Sequence, residues 1–377
     1  MTAENHIHII SFNVPFPANY GGVIDVFYKI KNLHEAGVKV HLHCFKYGRS
    51  EAKELESICY KVHYYKRKTG FLKSLSLVPY IISSRKSGLL ISMLLKDDYP
   101  ILFEGLHCCY YLDDERLKNR FKIFRESNIE HEYYWGLAKA ENNYLKKLYF
   151  LFAGWKLKRF EKIVKHASLI LPVSQTDTEY FKQKFTNNKV EYLPSFHPFN
   201  NLVFKQGKGE YFLYHGNLEV SENIIAAKYL ITEVFNDLDL SLIIAGLNPS
   251  NDLLNLASEF KNIKIIPNPT DSELQALVEN AQANALVTFQ ATGLKLKLLN
   301  VLYNGRFCIA NSEMLQGTGL DKLCIIADSK DRLKKEVQAI ADKDFDLEEF
   351  NKREKILEPY SNEIKTKKLI QLAFPQE

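Results

Sequence analysis

The sequence predicts an α/β protein with two Rossmann-like domains, each built on a mostly parallel sheet with helices on both faces. Its 377 residues exceed what one ordinary core holds, and they fit two domains of roughly 150–200 residues. Short apolar runs alternate with amphipathic segments along the chain, which is typical of parallel strands connected by helices. The alternation stops over residues 194–209, a segment with two prolines and two glycines, and then restarts. We therefore predict that this segment links the two domains.

The first half contains seven strand candidates, each a short apolar run bounded by polar or turn residues. They are His6–Phe12, Val38–Phe45, Lys61–Tyr65, Ile101–Gly105, Phe121–Arg125, Ser168–Val173 and Val190–Leu193. The first of them is followed by a predicted helix that ends at Gly37. The apolar face of that helix consists of Val23, Val26, Phe27, Ile30 and Leu33.

The second half repeats the pattern with six more strand candidates. They are Tyr211–Tyr214, Leu240–Ala245, Ile263–Ile266, Ala285–Phe289, Phe307–Ala310 and Leu323–Ala327. The predicted helices between them are near Asn223–Phe235, Asp252–Phe260, Ser272–Gln282 and Leu294–Tyr303. The last stretch, Leu347–Phe374, is rich in charged residues and is also predicted to be helical.

The composition excludes several classes of protein. The apolar content of 46% is normal for a soluble globular protein, and no apolar run approaches the length of a membrane span. The six cysteines lack the paired spacing of a metal site. We therefore expect reduced core thiols, no bound metal and a cytosolic compartment. The N-terminus lacks the pattern of a signal peptide.

Positive charge is unevenly distributed along the chain, although the net charge is only +5. Ser57–Lys96 has no acidic residue but eight lysines and arginines, interleaved with aromatic and aliphatic side chains. Leu145–Lys165 is a second basic and aromatic stretch. Such stretches suit an anionic membrane surface or nucleic acid, and amphipathic helices packed on the core would give the same pattern. We favour a surface that faces a membrane or an anionic acceptor, and we expect no nucleic-acid partner.

Residues 285–312 contain the clearest candidate for a phosphate site. A buried strand is followed by a Gly turn, an amphipathic helix and a second buried strand. Thr292 can cap that helix, and Gly293 lets the backbone turn closely into it. The helix start offers backbone N–H groups and a positive dipole end, and Lys295 and Lys297 add two cations. An ordinary strand–helix unit with solvated lysines is the alternative.

This stretch resembles the donor-site helix of retaining GT-B glycosyltransferases, notably glycosyltransferase family 4. The family has the pattern Gly–Ile/Leu–Lys–x–Lys–x–Leu–Glu–Ala. The matching residues here are Gly293, Leu294, Lys295, Leu296, Lys297, Leu298, Leu299 and Asn300. The resemblance implies that they face the nucleotide sugar, with Asn300 in the place of the glutamate that holds the ribose. The family's other glutamate falls near residues 290–292, none of which is acidic.

Three sequence features in the first half resemble motifs of the same family. Gly21 and Gly22 follow the first strand, like the Gly-Gly loop that faces the donor diphosphate and the acceptor. His107 follows the fourth strand, where the resemblance implies contact with the transferred sugar, and it is our candidate catalytic residue. Arg125–Tyr134 is similar to an R-x-H-N-x-E-x-x-Y-Y segment of bacterial enzymes that build surface polysaccharides. That segment supplies three candidate acceptor-binding residues, Arg125, Asn128 and Glu130.

Each of these three sequence features also has a purely structural interpretation. Turns use Gly-Gly pairs freely, and a histidine at a strand end can bond to the backbone. A helix N-cap and first-turn acids would explain Asn128 and Glu130 without any ligand.

The second half carries one more family-like segment. Tyr214–Leu218 aligns with a strand that the family follows with Gly-Arg, so Gly216 and Asn217 are candidate donor-binding residues. Asn217 stands in the place of the usual arginine, and Glu222 in the place of the usual lysine. By this alignment, Lys295, Lys297 or Arg306 would supply the charge that binds the donor pyrophosphate.

The resemblance, which covers nearly the whole chain, implies a GT-B architecture with the substrates in a cleft between two domains. The acceptor domain would span residues 1–198 and the nucleotide-sugar domain residues 199–358. Residues 359–377 would form a helix that crosses back to the first domain.

The implied function is transfer of a sugar, with retention, from a nucleotide sugar to a glycan or a lipid-linked saccharide. No cofactor or metal is expected, because side chains and helix ends neutralise the leaving diphosphate. We expect a cytoplasmic protein, peripheral on the inner face of the plasma membrane. The alternative is a non-catalytic GT-B relative that binds a glycan or a partner transferase at the membrane.

Overall fold

The computed structural model describes residues 4–70, 76–141, 143–289 and 296–375. These residues divide into two compact units. Unit 1 holds the described residues up to 198 and from 360 onward, and unit 2 holds those of 199–289 and 296–359. Each unit has its own sheet and its own apolar core. The predicted α/β class with two Rossmann-like domains is therefore confirmed.

The described residues of unit 1 form a seven-stranded parallel sheet with the order β3-β2-β1-β4-β5-β6-β7. Its strands are β1 His6–Ser11, β2 Lys39–Lys46, β3 Lys61–Lys66, β4 Ile101–Glu104, β5 Lys122–Glu126, β6 Leu169–Pro172 and β7 Lys189–Val190. Its α-helices before the second unit are α1 Gly21–Glu35, α2 Lys53–Ile58, α3 Tyr80–Ser83, α4 Gly88–Leu94, α5 Glu130–Ala140, α6 Tyr144–Phe160 and α7 Gln175–Lys184. Short 3-10 helices span Leu106–Tyr111, Glu115–Leu117 and Glu161–His166.

Both faces of this sheet are covered by apolar side chains. Consecutive strand residues point to opposite faces, so Ile9 and Ile10 of β1 belong to two different core clusters. Helix α1 buries the predicted apolar face, with Phe27 only partly covered. Gly37 follows α1 with a φ of +84°, which suits its predicted role as the end of that helix.

The described residues of unit 2 form a six-stranded parallel sheet with the order β10-β9-β8-β11-β12-β13. Its strands are β8 Phe212–Asn217, β9 Leu242–Leu247, β10 Ile263–Pro267, β11 Ala283–Leu286, β12 Phe307–Ala310 and β13 Ile325–Ile326. Its α-helices are α8 Ser221–Tyr229, α9 Asn251–Ser258, α10 Asp271–Asn280, α11 Leu296–Asn304, α12 Ser312–Leu315, α13 Lys330–Ile340 and α14 Leu347–Leu357. A 3-10 helix spans Asp321–Leu323 and a π-helical turn spans Leu230–Val234.

The predicted strands are all present, with ends that shift by a few residues. The helix predicted over Asn223–Phe235 is divided, because α8 ends at Tyr229 and the π-helical turn follows. Leu230, Ile231 and Val234 are all fully buried in that wider turn. A uniform helical period in the sequence does not distinguish this irregular end from a continued α-helix.

The C-terminal helix α15, Asn362–Ala373, belongs to unit 1 and follows a 3-10 helix at Glu358–Tyr360. Leu369 and Ala373 of α15 share a core cluster with the apolar face of α1. The buried ammonium group of Lys365 donates a hydrogen bond of 2.6 Å to the backbone oxygen of Ser195. The predicted return of the last helix to the first domain is therefore confirmed.

The predicted linker starts inside the core of unit 1. Phe196 and His197 are fully buried. The Phe196 N–H donates to Asp25 Oδ1 at 2.6 Å, and the Asn362 amide donates to the His197 oxygen at 2.7 Å. The prolines of this segment therefore correctly indicated irregular backbone, but they did not indicate exposure.

Candidate functional site

Several of the predicted first-domain residues lie at or just after the carboxyl ends of β1, β4 and β5. Open α/β sheets bind ligands at this edge. Strand β4 ends at Glu104, and Gly105 turns the chain with a φ of +71°, which favours glycine. The 3-10 helix that follows brings His107 back beside the turn, so a Cβ on Gly105 would lie 3.3 Å from His107 Nδ1.

His107 faces the buried carboxyl group of Glu130, the first residue of α5. His107 Nδ1 and Glu130 Oε1 are 3.4 Å apart, and Nδ1 has no hydrogen-bond partner among the described residues. Burial lowers the pKa of His107 to about 3, with further contributions from the Arg85 and Arg67 guanidinium groups. Burial also raises the pKa of Glu130 to about 8, against the opposing charge of Arg85. At neutral pH both groups are therefore mainly uncharged, so His107 can accept a hydrogen bond and Glu130 can donate one.

Asn128 adds a second unsatisfied polar atom near the end of β5. Its Oδ1 is buried and lacks a hydrogen-bond partner in the described part of the chain. Its backbone N–H donates to Glu126 Oε1 at 2.8 Å. The alternative in which Asn128 caps a helix is wrong, because the N-cap of α5 is Ile129. Buried polar atoms without partners are uncommon, so a polar ligand is a natural partner for His107 and Asn128.

Gly21 and Gly22 are the first two residues of α1, whereas the resemblance implied a loop at this place. The N-cap residue Tyr20 makes no side-chain capping bond, and the first turn contains no acidic residue. This helix end therefore keeps a positive dipole that suits an anion. A Cβ on Gly22 would lie 2.8 Å from Phe12 Cζ, and the Phe12 ring packs 5.7 Å from the His107 ring. A larger residue at position 22 would therefore displace the Phe12 ring, a constraint that the sequence did not reveal.

Arg125 corrects the predicted set of acceptor-binding residues. Its side chain is fully buried, and its guanidinium group donates at 3.3 Å to the carboxylate of Asp25. The same group donates to the backbone oxygens of Leu171, Leu193 and Pro194. Because these partners occupy the guanidinium group inside unit 1, Arg125 stabilises the fold and is not presented to a ligand.

In unit 2, Lys297 lies in the first turn of α11, near the carboxyl end of β8. Its ammonium group donates a 3.0 Å hydrogen bond to Asn223 Oδ1 and lies 5.3 Å from the ring centroid of Tyr214. The Tyr214 hydroxyl also donates to Asn223 Oδ1, at 3.2 Å. Gly216 leaves room for this arrangement, since a Cβ there would lie 3.0 Å from Asn223 Cγ. One cation is therefore positioned at the strand ends, where nucleotides bind in α/β sheets.

His215 lies next to this cation and is buried. Its Nε2 has no hydrogen-bond partner among the described residues. Burial, followed by the charge of Lys297, lowers the pKa of His215 to about 3. Asn217, the next candidate along the chain, is exposed, and its Oδ1 accepts a 3.0 Å bond from the Glu219 N–H.

The remaining unit 2 candidates have different environments. Asn300 is half-buried, and its Oδ1 accepts a 2.8 Å bond from the Asn304 amide. Glu222, in the place of the family's lysine, accepts a hydrogen bond from Thr288 Oγ1. Arg306 is buried and donates to the backbone oxygens of Glu279 and Ala281. Arg306 is therefore excluded as the cation for a pyrophosphate, and that part of the sequence prediction is wrong.

The predictions for Thr292, Gly293, Leu294 and Lys295 fall outside the residues that the structure describes. Sequence reasoning also missed two polar residues that belong to the candidate sites. Asn223 connects Lys297 with Tyr214, and Arg85 is close enough to His107 and Glu130 to influence both pKa values. Asn223 could have been suspected because it lies in the first turn of the helix after β8.

Two common features are absent from the described residues, a metal-ion site and a membrane-spanning helix. No group of His, Cys, Asp or Glu side chains has an arrangement suited to a metal ion. No described helix combines the length and the apolar content needed to cross a bilayer.

Comparison with known proteins supports the fold. No family model matches the chain. An uncharacterised 44.6 kDa protein in the cps region of Klebsiella pneumoniae is 28% identical over 335 residues, which cover 83% of this chain and 84% of that protein. Sucrose-phosphate synthase from Thermosynechococcus elongatus matches with a TM-score of 0.68, 13% identity and 98% coverage of both chains. The α,α-trehalose-phosphate synthase (UDP-forming) from Burkholderia xenovorans, in complex with glucose-6-phosphate, matches with a TM-score of 0.64 and 10% identity, covering 98% of this chain and all of its own.

The fold is therefore that of GT-B glycosyltransferases. This architecture is consistent with the predicted resemblance, while the resemblance to family 4 in particular stays a prediction.

Proposed function

We propose that this protein is a glycosyltransferase that moves a sugar, with retention, from a nucleotide-sugar donor to a glycan or lipid-linked saccharide. The observation that carries the proposal is the position of Lys297 in unit 2 of a GT-B fold. It is a cation held by Asn223 and Tyr214 near the strand ends, in the first turn of α11. A charge in that place suits the diphosphate of a nucleotide sugar.

In this proposal unit 1 supplies the groups that recognise the sugar and the acceptor. The uncharged His107 accepts a hydrogen bond from a sugar hydroxyl, and the protonated Glu130 donates one to an acceptor oxygen. The start of α1 at Gly21 and Gly22 offers its backbone N–H groups to an anionic group. The relative in a cps region supports a role in the biosynthesis of capsular polysaccharide.

The proposal is tested by nucleotide-sugar turnover. Purified protein is incubated with UDP-, GDP- and CMP-sugars, and nucleotide release is followed by mass spectrometry, with calorimetry for UDP and GDP. We expect one nucleotide to bind and its sugar to be slowly hydrolysed or transferred. If the wild-type protein binds no nucleotide at all, the proposal is wrong.

Turnover should not require a divalent metal. We expect Lys297 and the start of α11 to carry the charge of the leaving diphosphate, which a metal ion would otherwise neutralise. Dialysis against EDTA should therefore leave the rate of nucleotide release unchanged. A loss of activity that Mg²⁺ or Mn²⁺ restores would contradict this mechanism.

The second candidate function is a non-catalytic GT-B relative that binds a glycan or a partner transferase. It is favoured by the unit 2 site, where Asn217 and Glu222 stand in the places of the family's cationic pair. Such a protein would bind a saccharide, measured by calorimetry, without releasing nucleotide from any donor in the panel.

We also propose that the protein works at the cytoplasmic face of a membrane. Helix α6 exposes a row of large apolar side chains and carries several basic residues. An anionic lipid surface would satisfy both features.

A further inference from the structure

The described part of unit 1 contains an apolar pocket between α3, α5 and α6. Its volume is about 190 Å³. The pocket is lined by Pro79, Tyr80, Ile81, Tyr134, Tyr149, Phe152, Ala153, Lys156 and Leu157. The one charged group among them, the Lys156 ammonium, donates a 2.8 Å hydrogen bond to the Ser76 backbone oxygen and lies 4.7 Å from the Phe152 ring centroid. The remaining lining is mostly hydrocarbon. A dry apolar cavity of ~150 Å³ is enough to bind a small hydrocarbon.

The pocket opens onto an exposed apolar face of α6. Leu145, Phe152 and Trp155 are 77%, 56% and 48% exposed, and Leu148 lies between them on the same face. Tyr149 and Phe152 both line the pocket and reach solvent. A continuous row of large exposed apolar side chains is unusual on a soluble domain and marks an interaction surface.

The charge around this face indicates what kind of molecule binds there. Lys146, Lys158 and Arg159 of α6 are exposed. The only acidic residue in 145–165 is Glu161, which is buried and bonded to Lys184 and Tyr180. Helix α3 comes from the segment without acidic residues. An apolar pocket inside a cationic surface matches an amphiphile with an anionic headgroup and a hydrocarbon chain.

The pocket also adjoins the candidate acceptor site of unit 1. Tyr134, which lines the pocket, lies one turn after Glu130 on α5, so the two side chains are on the same face of that helix. The pocket volume of about 190 Å³ suits one hydrocarbon chain better than a packed helix of a partner protein. A chain held there would keep its headgroup on the side of Glu130.

We propose that this pocket binds the single hydrocarbon chain of a lipid phosphate that carries the acceptor sugar. The inference rests on the proposed glycosyltransferase function and names the class of its acceptor. The exposed face of α6 contacts the membrane, and the pocket takes the chain of the acceptor out of the bilayer.

The test fills the pocket and measures binding of a single-chain lipid phosphate. Ala153→Phe adds a ring to the lining, and Leu151→Phe adds apolar bulk to an exposed residue of the same helix outside the pocket. The probe is farnesyl monophosphate, measured by calorimetry, with inorganic phosphate as the headgroup alone. Ala153→Leu repeats the test with less added volume if the first variant does not fold.

We expect farnesyl monophosphate to bind wild-type protein and Leu151→Phe equally, and inorganic phosphate to bind much more weakly. Ala153→Phe should weaken farnesyl monophosphate binding by about tenfold, the loss expected when about two methylene groups stay in water. Equal binding by the wild type and by folded pocket-filling variants would overturn the proposal. Equal affinity for inorganic phosphate and farnesyl monophosphate would also overturn it.

Binding to phosphatidylglycerol vesicles distinguishes a pocket that is specific for the acceptor from one that holds an ordinary bilayer lipid. Ala153→Phe should bind these vesicles like the wild type, because the surface lysines are unchanged. If vesicle binding falls together with farnesyl monophosphate binding, the pocket holds a bilayer lipid and the acceptor assignment is wrong. UDP and GDP binding by unit 2 is measured on the same variants. If the wild-type protein binds UDP or GDP but not farnesyl monophosphate, the acceptor proposal alone has failed. If it binds farnesyl monophosphate but no nucleotide, the proposed glycosyltransferase function has failed.

Discussion

At the scale of single residues, the two units stabilise their candidate groups in different ways. Lys297 is only half-buried, and its ammonium group lies beside an amide oxygen and an aromatic ring. His107 and Glu130 are held in a low-dielectric environment that favours their neutral forms. The first arrangement suits binding of an anion, and the second suits hydrogen bonding to a sugar.

Replacing Lys297 with alanine should weaken nucleotide-diphosphate binding by about 1–3 kcal/mol, the scale of a charge-assisted hydrogen bond. Asn300→Ala should weaken it less, because the Asn300 Oδ1 already accepts a bond from Asn304. The sequence predicts the smallest effect for Lys295→Ala, because two residues that are two positions apart in an ideal helix point ~200° away from each other. Calorimetry with UDP and GDP measures the three variants, and Lys264→Ala on the exposed side of β10 is the matched control. If all three variants bind like the wild type, the donor site lies elsewhere.

Replacing Glu130 with glutamine should remove a pH dependence of stability. Because burial raises the pKa of Glu130 in the folded protein to about 8, its contribution to stability is fully present below ~4.5 and is lost as the pH rises through 8. Glu130→Gln stays neutral at every pH. Its free energy of unfolding, measured relative to that of the wild type, should therefore rise by about 2–4 kcal/mol as the pH increases from 5 to 9. Urea unfolding across that range tests this, with the exposed neighbour Glu132→Gln as control. Parallel pH profiles for the wild type and Glu130→Gln would show that Glu130 is ionised in the fold.

Arg125 and Lys297 show which parts of the site could be predicted from the sequence. Both are cationic residues near strand ends, and the sequence cannot separate them. Arg125 turns inward because Asp25, one hundred residues earlier in the chain, supplies a buried carboxylate. Lys297 stays near the surface because Asn223 and Tyr214 hold it there. Partners so distant in the sequence are set by tertiary packing, which no local pattern records.

At the scale of elements, the strands of unit 1 carry an unusual set of histidines. They are His6 and His8 on β1, His41 and His43 on β2, and His63 on β3. Asp97, His8, His43 and Tyr65 form a continuous hydrogen-bonded chain with steps of 2.9, 2.9 and 2.8 Å. All three hydrogen bonds can form with both imidazoles neutral. In that arrangement Tyr65 donates to His43, His43 donates to His8, and His8 donates to Asp97.

Unit 1 should lose stability in mild acid because of these histidines. Burial lowers the pKa of His41 to about 4, with the charges of His8 and His6 acting in the same direction and that of Asp97 opposing them. A histidine whose pKa is lowered in the folded state contributes to stability above pH ~6.5, and this contribution is lost as the pH falls towards 4. Over that range, the free energy of unfolding of His41→Gln should therefore fall by about 1–3 kcal/mol less than that of the wild type.

Thermal unfolding from pH 7 to pH 4 measures this difference. His34→Gln, at an exposed residue of α1, is the matched control and should follow the wild type. If His41→Gln also follows the wild type throughout, His41 is protonated in the folded protein.

The elements themselves were predictable because each strand is a short apolar run between polar boundaries, a signal contained in a few adjacent residues. The exceptions are places where neighbours decide the outcome. The π-helical turn after α8 and the burial of Phe196 both follow from packing on a core already formed by other segments. Their local sequences are compatible with a continued helix and with an exposed linker.

At the scale of the whole molecule, basic and apolar features are concentrated in unit 1. The segment without acidic residues and helix α6 both belong to it, whereas unit 2 carries the candidate nucleotide-binding lysine. In the proposed function, unit 2 would recognise the nucleotide-sugar donor and unit 1 would recognise a membrane-bound acceptor. The small net charge of +5 hides this asymmetry, so the distribution of charge is the informative quantity.

The full-length protein should therefore bind anionic vesicles in a salt-sensitive way. Phosphatidylglycerol vesicles should co-sediment with it at low salt and release it as the ionic strength rises, while phosphatidylcholine vesicles should bind it weakly. Because each basic residue near an anionic surface contributes ~1 kcal/mol, a variant with both Lys146→Ala and Lys147→Ala should lose about 2 kcal/mol, roughly thirtyfold in affinity. The matched control carries Lys352→Ala and Lys355→Ala on the exposed side of α14 in unit 2 and should bind like the wild type. Equal binding to neutral and anionic vesicles, or an equal loss in both double variants, would mean that α6 is not the membrane-facing surface.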